Sequence, residues 1–221
     1  MQPTSLVCNG ELIRFFRGEK HLTQAELAER CDCTERLIRK AEQDGQCSVS
    51  SIRTIAAALS TDGRQLSVED LTSYPLEMAQ RYTQALYTCQ EKLVDSLSDM
   101  LDRDVLFRVN GDPAVIPFAG DYRGTSEVRE GFRRFFSIMQ VPEEEDFSKT
   151  HQYFSRGLEV HMWGDSWIHP RGMQLESPMK LSNYFRFRNG KLVWFEDQFD
   201  VSRAEHLLRA SSPASTESNP E

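Results

Sequence analysis

Apolar residues recur at the three-and-four spacing of amphipathic helices in the first half of this chain, and at alternate positions typical of strands in much of the second. In Thr23 to Glu42, TQAELAERCDCTERLIRKAE, residues Ala25, Leu27 and Ala28 mark the buried side of one short helix, and Leu37, Ile38 and Ala41 that of another. Thr23 is placed to N-cap the first, with Glu26 three residues on completing a capping box, and Thr34 to cap the second. Only Cys31-Asp32-Cys33 separates them, which predicts a helix-turn-helix unit. Downstream, Ile52, Ile55, Ala56 and Leu59 in SVSSIRTIAAALS predict a further helix. Tyr74-Pro75 is a break, because a residue before proline avoids helical geometry.

Tyr82, Leu86, Cys89, Leu93, Leu97 and Met100 predict one long helix from about Leu76 to Leu101, more economically an amphipathic cover for a sheet than a coiled coil. DVLFRVN (Asp104 to Asn110) reads as a strand, VIPFAGDYRG as an extended segment, and TSEVREGFRRFFSIM as a helix capped at Thr125 or Ser126. PEEEDFS reads as a solvated loop. Strands follow at about Lys149–Ser155, Leu158–Ile168, Lys180–Arg188 and Lys191–Phe199. Helices followed by a run of strands predict an α+β fold, a curved antiparallel sheet with helices on one face. The expected organisation is residues 1–75, 76–209 and a small polar tail, 210–221, predicted to be disordered.

Two resemblances sharpen this picture. Thr23-Gln24, Leu27-Ala28, the cap at Thr34, Ile38 and Glu42, with the helix through Ile52 and Leu59, resemble the Cro/phage-repressor (XRE-type) class of helix-turn-helix domains from about Glu11 to Leu71. The resemblance implies an all-α domain of five helices that binds double-stranded DNA. It lays the helix from Thr34 to Gln43 in the major groove, with Thr34, Glu35, Arg36, Arg39 and Lys40 toward the DNA and Gln24 hydrogen-bonding a phosphate. An arginine there suits the two acceptors of guanine, and a glutamate the amino group of cytosine. In the second half, Pro117-Phe118-Ala119-Gly120, Tyr122-Arg123-Gly124 and the closing YFRFRNGKLVWFEDQFD resemble the cone-shaped family of nuclear transport factor two, ketosteroid isomerase and the SnoaL-type polyketide cyclases. That resemblance implies a pocket on one face of the last hairpin.

Asn189-Gly190 is a strong type I′ turn signal and sets a register for this hairpin. Strict alternation from it puts Leu181, Asn183, Phe185, Phe187, Leu192, Trp194, Glu196 and Gln198 on one face. Tyr184, Arg186, Val193, Phe195 and Asp197 fall on the other. The expected ligand pocket therefore contains Asn183, Phe185, Trp194 and Glu196, with Asp200 nearby. Glu196 and Asp200 are the candidate catalytic carboxylates, although no distinctive catalytic motif accompanies them. Lone His161 and His169 read as structural, and Trp163 and Trp167 as either core or pocket.

The 221 residues carry a formal charge of −8. Residues 1–75 hold nine lysines and arginines against eleven acidic residues, which makes that part −2 and the remainder −6. DNA affinity rests largely on phosphate neutralisation, so a monomer should grip weakly despite the clusters Arg14, Arg17, Lys20 and Arg36, Arg39, Lys40; a homodimer is expected to remedy this. Apolar runs fall far short of a membrane span, and MQPTSLVCNG lacks a basic stretch followed by an apolar one. The expectation is a cytoplasmic protein with no membrane partner. Cys31 and Cys33 are spaced too closely for a usual zinc pair, so the cysteines read as buried thiols and no metal or cofactor is expected.

Three functions remain open at this point. The favoured one is a DNA-binding transcriptional regulator whose cone domain dimerises and is a candidate sensor of a small apolar ligand. The second is a cofactor-independent isomerase, cyclase or hydrolase with an appended helix-turn-helix. The third gives the cone domain only a dimerising role.

Overall fold

The computed structural model describes residues 3–142 and 150–211. Asn9 opens the first helix, α1 (Gly10–Glu19), its side chain accepting from the Leu12 amide. Thr23 caps α2 (Gln24–Arg30) in a complete capping box with Glu26, and Thr34 caps α3 (Glu35–Ala41). Between them Asp32 takes a left-handed backbone, φ 48°, which an aspartate tolerates better than most residues. Ser48 caps α4 (Val49–Leu59). A short antiparallel pair, β1 (Ser5–Val7) with β2 (Gln46–Ser48), ties the start of the chain to the segment after α3. These elements bury a shared core that includes Ile13, Phe16, Leu27, Ile38, Ile52, Ile55 and Leu59. The packing is close enough that a Cβ on Gly10 would meet the Glu42 carbonyl.

The expected fifth helix is reduced to a 3-10 turn, Asp70–Thr72. The Asp70 carboxylate turns back to accept from the amide and hydroxyl of Ser67, a local hydrogen-bonding alternative to further helix. Pro75 then starts α5 (Pro75–Cys89). The single long helix predicted to Leu101 breaks at Gln90, where φ is 48°, and resumes as the short α6 (Leu93–Ser96). Bending there keeps Leu93, Val94, Leu97 and Met100 buried while it leads the chain into a strand.

That strand is β3 (Leu101–Val109), followed by β4 (Gly120–Arg123), α7 (Gly124–Ile138), β5 (Met139–Gln140), β6 (His151–Arg156), β7 (Glu159–Ser166), β8 (His169–Pro170), β9 (Met179–Arg188) and β10 (Lys191–Phe199). A last helix, Val201–Ser211, runs into the stretch predicted as tail. The remainder of that tail lies outside the described residues, as does most of the PEEEDFS loop. α7 begins at Gly124 without a side-chain cap; instead Glu127 accepts from the Arg123 amide.

The main sheet has the order β4-β3-β10-β9-β7-β6. It is mixed rather than antiparallel throughout, because the final strand returns to the middle of the sheet and lies parallel to β3. The protein is thus α+β, with α5, α7 and the last helix packed over one sheet face. The β9–β10 hairpin turns at Asn189-Gly190 with φ of 51° and 66°, the positive values a type I′ turn requires. Its tip reaches the N-terminal helices, where the Asn189 amide donates to Asp70 (2.5 Å); Leu158, from the turn between β6 and β7, packs on their core.

Candidate functional site

Three aromatic residues from separate elements meet under the sheet. Tyr82 of α5 lies 4.7 Å, centroid to centroid, from Phe195 of β10, which lies 4.8 Å from Phe107 of β3. Beside them, between the sheet, α5, α7 and the last helix, is a cavity of about 110 Å³ for the centres of water-sized molecules. Its walls are mostly apolar, with Tyr82, Thr83, Tyr87, His151, Ser166, Asn183 and Asp197 among its polar groups. An apolar enclosure with a few converging polar groups is the usual form of a small-molecule site.

Among the described residues, Asp197 is the one acidic group lining the cavity, and no lysine or arginine lines it. The Asn183 amide donates to it across 2.7 Å. Burial pushes the Asp197 carboxyl up to about 7, and the Asn183 hydrogen bond pulls in the other direction. The Tyr82 hydroxyl is raised as well, by its own burial first and then by the Asp197 charge. Burial lowers His151, partly offset by hydrogen bonding to and the charge of Asp165. The Tyr87 and Ser166 hydroxyls stand 3.5 Å apart at another part of the wall. A carboxyl poised near neutrality in an apolar cavity can exchange a proton with a bound molecule or pair with a ligand's cation.

The hairpin departs from the register that alternation predicts. Leu192 faces Phe187 as expected, but Trp194 faces Arg186 and Phe195 faces Phe185, with Val193 as an extra residue between. This bulge turns every later side chain of β10 to the other face. Phe195, Asp197 and Phe199 consequently join Asn183 on the cavity side, and Trp194 and Glu196 leave it. Trp194 instead lies between the guanidinium groups of Arg108 (5.1 Å) and Arg186 (5.4 Å) on the outer face. Glu196 accepts from Gln198 there. Phe185 faces inward but belongs to the packed core rather than to the cavity wall. Asp200 accepts from the Arg203 amide and caps the last helix.

Trp163 is half exposed on the outer face, and the His161 ring packs at a tilt against Tyr184 there. Trp167 is absent from the cavity wall, and its carbonyl contacts the His169 ring. His151 and Tyr87 reach the cavity without a sequence signal beyond their places in a strand and a helix. Cys8, Cys31 and Cys47 are buried, and burial raises the Cys8 thiol to about 12 and the Cys31 thiol to about 11.

In the N-terminal helices a second set of candidates is split between the interior and the surface. Glu42 is buried and joins three elements: Arg17 of α1 donates from Nε (2.6 Å) and Gln24 of α2 from its amide (2.6 Å). Gln24, expected at a phosphate, is therefore committed to an internal partner, and Arg14 also donates to the Glu42 carbonyl. Lys20 donates to the carbonyls of Ala58 and Ser60. The basic cluster expected on α1 is thus largely spent on internal contacts. On α3, Thr34 accepts from the Leu37 amide, and Glu35 pairs with Arg39 at 2.6 Å. Arg36 and Lys40 are exposed and enter no ion pair among the described residues.

No family model matches the chain, and no curated protein matches its sequence. Its fold, however, is similar to that of solved structures. An NTF2-like protein from Burkholderia xenovorans LB400 aligns with a TM-score of 0.50 and 13% identity, over 61% of this chain and 95% of its own. A candidate isomerase from Rhodopseudomonas palustris aligns with a TM-score of 0.51 and 14% identity, over 63% of this chain and 98% of its own. At such identity the likeness is one of fold.

Proposed function

We propose that the chain is a sequence-specific DNA-binding transcriptional regulator, with a Cro/phage-repressor type helix-turn-helix in residues 1–75 and a small-molecule cavity in an NTF2-like unit over residues 76–209. The observation that carries the first part is α3 itself. Its apolar residues Ile38 and Ala41 are buried, while Glu35, Arg36, Arg39 and Lys40 stand bare on the opposite face. Two caps and the Glu42 network fix this helix against α1 and α2, so the exposed face is presented rigidly. A rigid, basic helix following a tight turn fits the major groove, its N-terminal residues reaching base edges.

The acidic balance of this part argues for two copies acting together. The outer sheet face supports self-association: Phe154 (61% exposed) and Trp163 (50% exposed) lie there beside Tyr184 and the Arg108–Trp194–Arg186 stack. A two-fold dimer would place the α3 helices on half-sites about one helical turn apart. The cavity supplies a place for an effector.

The test is selection from a random duplex pool at fixed salt. The expected result is an enriched palindrome, with half-sites about 10 bp apart, that Arg36→Ala no longer retains. Absence of enrichment with folded, dimeric protein would overturn the DNA-binding assignment.

One observation favours a second reading, a cofactor-independent enzyme: Asp197, near-neutral in its protonation and enclosed with an apolar ligand space, is suited to general acid–base work. Turnover of a ketone, epoxide or lactone that disappears in Asp197→Asn, with the fold intact, would establish it.

A further inference from the structure

We propose that the cavity accepts a small apolar amine, whose ammonium group pairs with Asp197 while its hydrocarbon body fills the aromatic enclosure. This rests on the reading that the cavity holds a ligand and goes beyond it by assigning the ligand's chemical class.

Asp197 stands between Val109 of β3 and Asn183 of β9 in the ladder, and its side chain meets the cavity. The one side-chain hydrogen bond to it among the described residues comes from neutral Asn183. An anion in such a place loses hydration without gaining a protein cation, which is the costly way to bury a charge. A ligand cation would supply the missing partner.

The walls suit the same cation in a second way. Tyr82, Phe107, Phe132 and Phe195 line the cavity, with Phe107 and Phe132 packed edge to face at 5.9 Å. Ring faces attract ammonium groups, most strongly where water is excluded. A carboxylate ligand would meet Asp197 as a like charge, and a plain hydrocarbon would leave its lost hydration uncompensated. The cavity space corresponds to roughly ten displaced waters or fewer, enough for a ligand of about ten non-hydrogen atoms.

Among the described residues, the other ionisable groups on the walls are Tyr82 and Tyr87 from α5, Tyr122 from β4 and His151 from β6. Burial favours the neutral forms of Tyr82, Tyr122 and His151, so none of these three competes for the ligand's charge. Amine binding should strengthen as pH rises from 6 to 8, because the carboxyl must give up its proton to form the pair.

The experiment is calorimetric titration of the full chain with 2-phenylethylamine, propylbenzene of the same shape, and 3-phenylpropionate. At pH 8 the amine is expected to bind about tenfold tighter than the hydrocarbon, a difference of about 1.4 kcal/mol, and the propionate not to bind. Asp197→Asn should remove the preference for the amine and keep hydrocarbon binding, which also reports an intact fold. Equal affinity for amine and hydrocarbon, or a preference that survives in Asp197→Asn, overturns the amine assignment and leaves the cavity as a ligand site. If folded protein binds none of the three, both the assignment and the effector role of the cavity fall, while DNA selection still tests the other half of the proposal.

Discussion

Asn183 and Asp197 face each other across the β9–β10 ladder, and the asparagine amide donates to the carboxylate at 2.7 Å. Burial nevertheless holds the carboxyl up at about 7. The folded protein therefore keeps a proton that an unfolded aspartate releases near pH 4. Between these values the native state binds more protons than the unfolded chain, so stability falls as pH rises, by at most roughly 1.4 kcal/mol per pH unit. The loss is complete above about 7. Asp197→Asn removes this dependence while keeping a polar partner for Asn183. Urea unfolding is expected to show the variant more stable than the parent at pH 8, by up to about 4 kcal/mol, and flatter from pH 5 to 7. Identical pH profiles would mean that the carboxyl is not held in its neutral form.

Glu42 gives a prediction of the opposite sign. Its buried carboxylate holds Arg17 and Gln24, so its removal strands a largely buried guanidinium and an amide. Glu42→Ala is expected to destabilise the protein by about 3 kcal/mol. Glu42→Gln keeps part of the hydrogen bonding and should cost less. Urea unfolding at pH 7 distinguishes the two; equal small losses would show that the network adds little.

Asp70 carries the contact between the hairpin tip and the N-terminal helices. Its carboxylate is fully buried and accepts from Ser67 and from the Asn189 amide. In Asp70→Ala the Asn189 amide loses its acceptor. Hydrogen exchange at that amide is expected to accelerate about tenfold, the equivalent of about 1.4 kcal/mol of local protection. Amides within β9 and β10 that pair across the ladder should change much less. Unaltered exchange at Asn189 would exclude Asp70 as the latch.

How far the sequence reached follows from which constraints are local. Thr23 with Glu26, Thr34, and Asn189 with Gly190 each encode a cap or turn within a few residues, and the structure uses them as read. Strict alternation puts Trp194 and Glu196 on the face that Phe195 and Asp197 take, because one extra residue at Val193 reverses all later positions of β10. Nothing in KLVWFEDQF announces that bulge. Its cause is non-local: Phe195 packs at a tilt among Tyr82, Phe107 and Phe185, a cluster that outweighs regular pairing. His151 was illegible for the same reason: its approach to the cavity depends on sheet order. Gln24 shows the limit of a family pattern, since its position suggested a phosphate while packing placed the Glu42 carboxylate within reach.

The exposed cations of α3 yield the last prediction, one that separates base reading from phosphate binding. Arg36 lies at the N-terminal end of the helix and Lys40 near its C-terminal end, while Arg39 is tied to Glu35. In the proposed docking the N-terminal end enters the groove, so Arg36 should read a base edge and Lys40 should neutralise a phosphate. Lys40→Ala is then expected to weaken binding to all sequences alike and to reduce the slope of log affinity against log salt by about 1 per recognition helix. Arg36→Ala should instead cost about 1–3 kcal/mol at the cognate base pair and relax the preference there. Affinities measured for the selected duplex and for single-base variants across a salt series report both effects. If the two substitutions exchange these signatures, α3 lies in the groove with the opposite polarity; if neither changes affinity, it does not enter the groove.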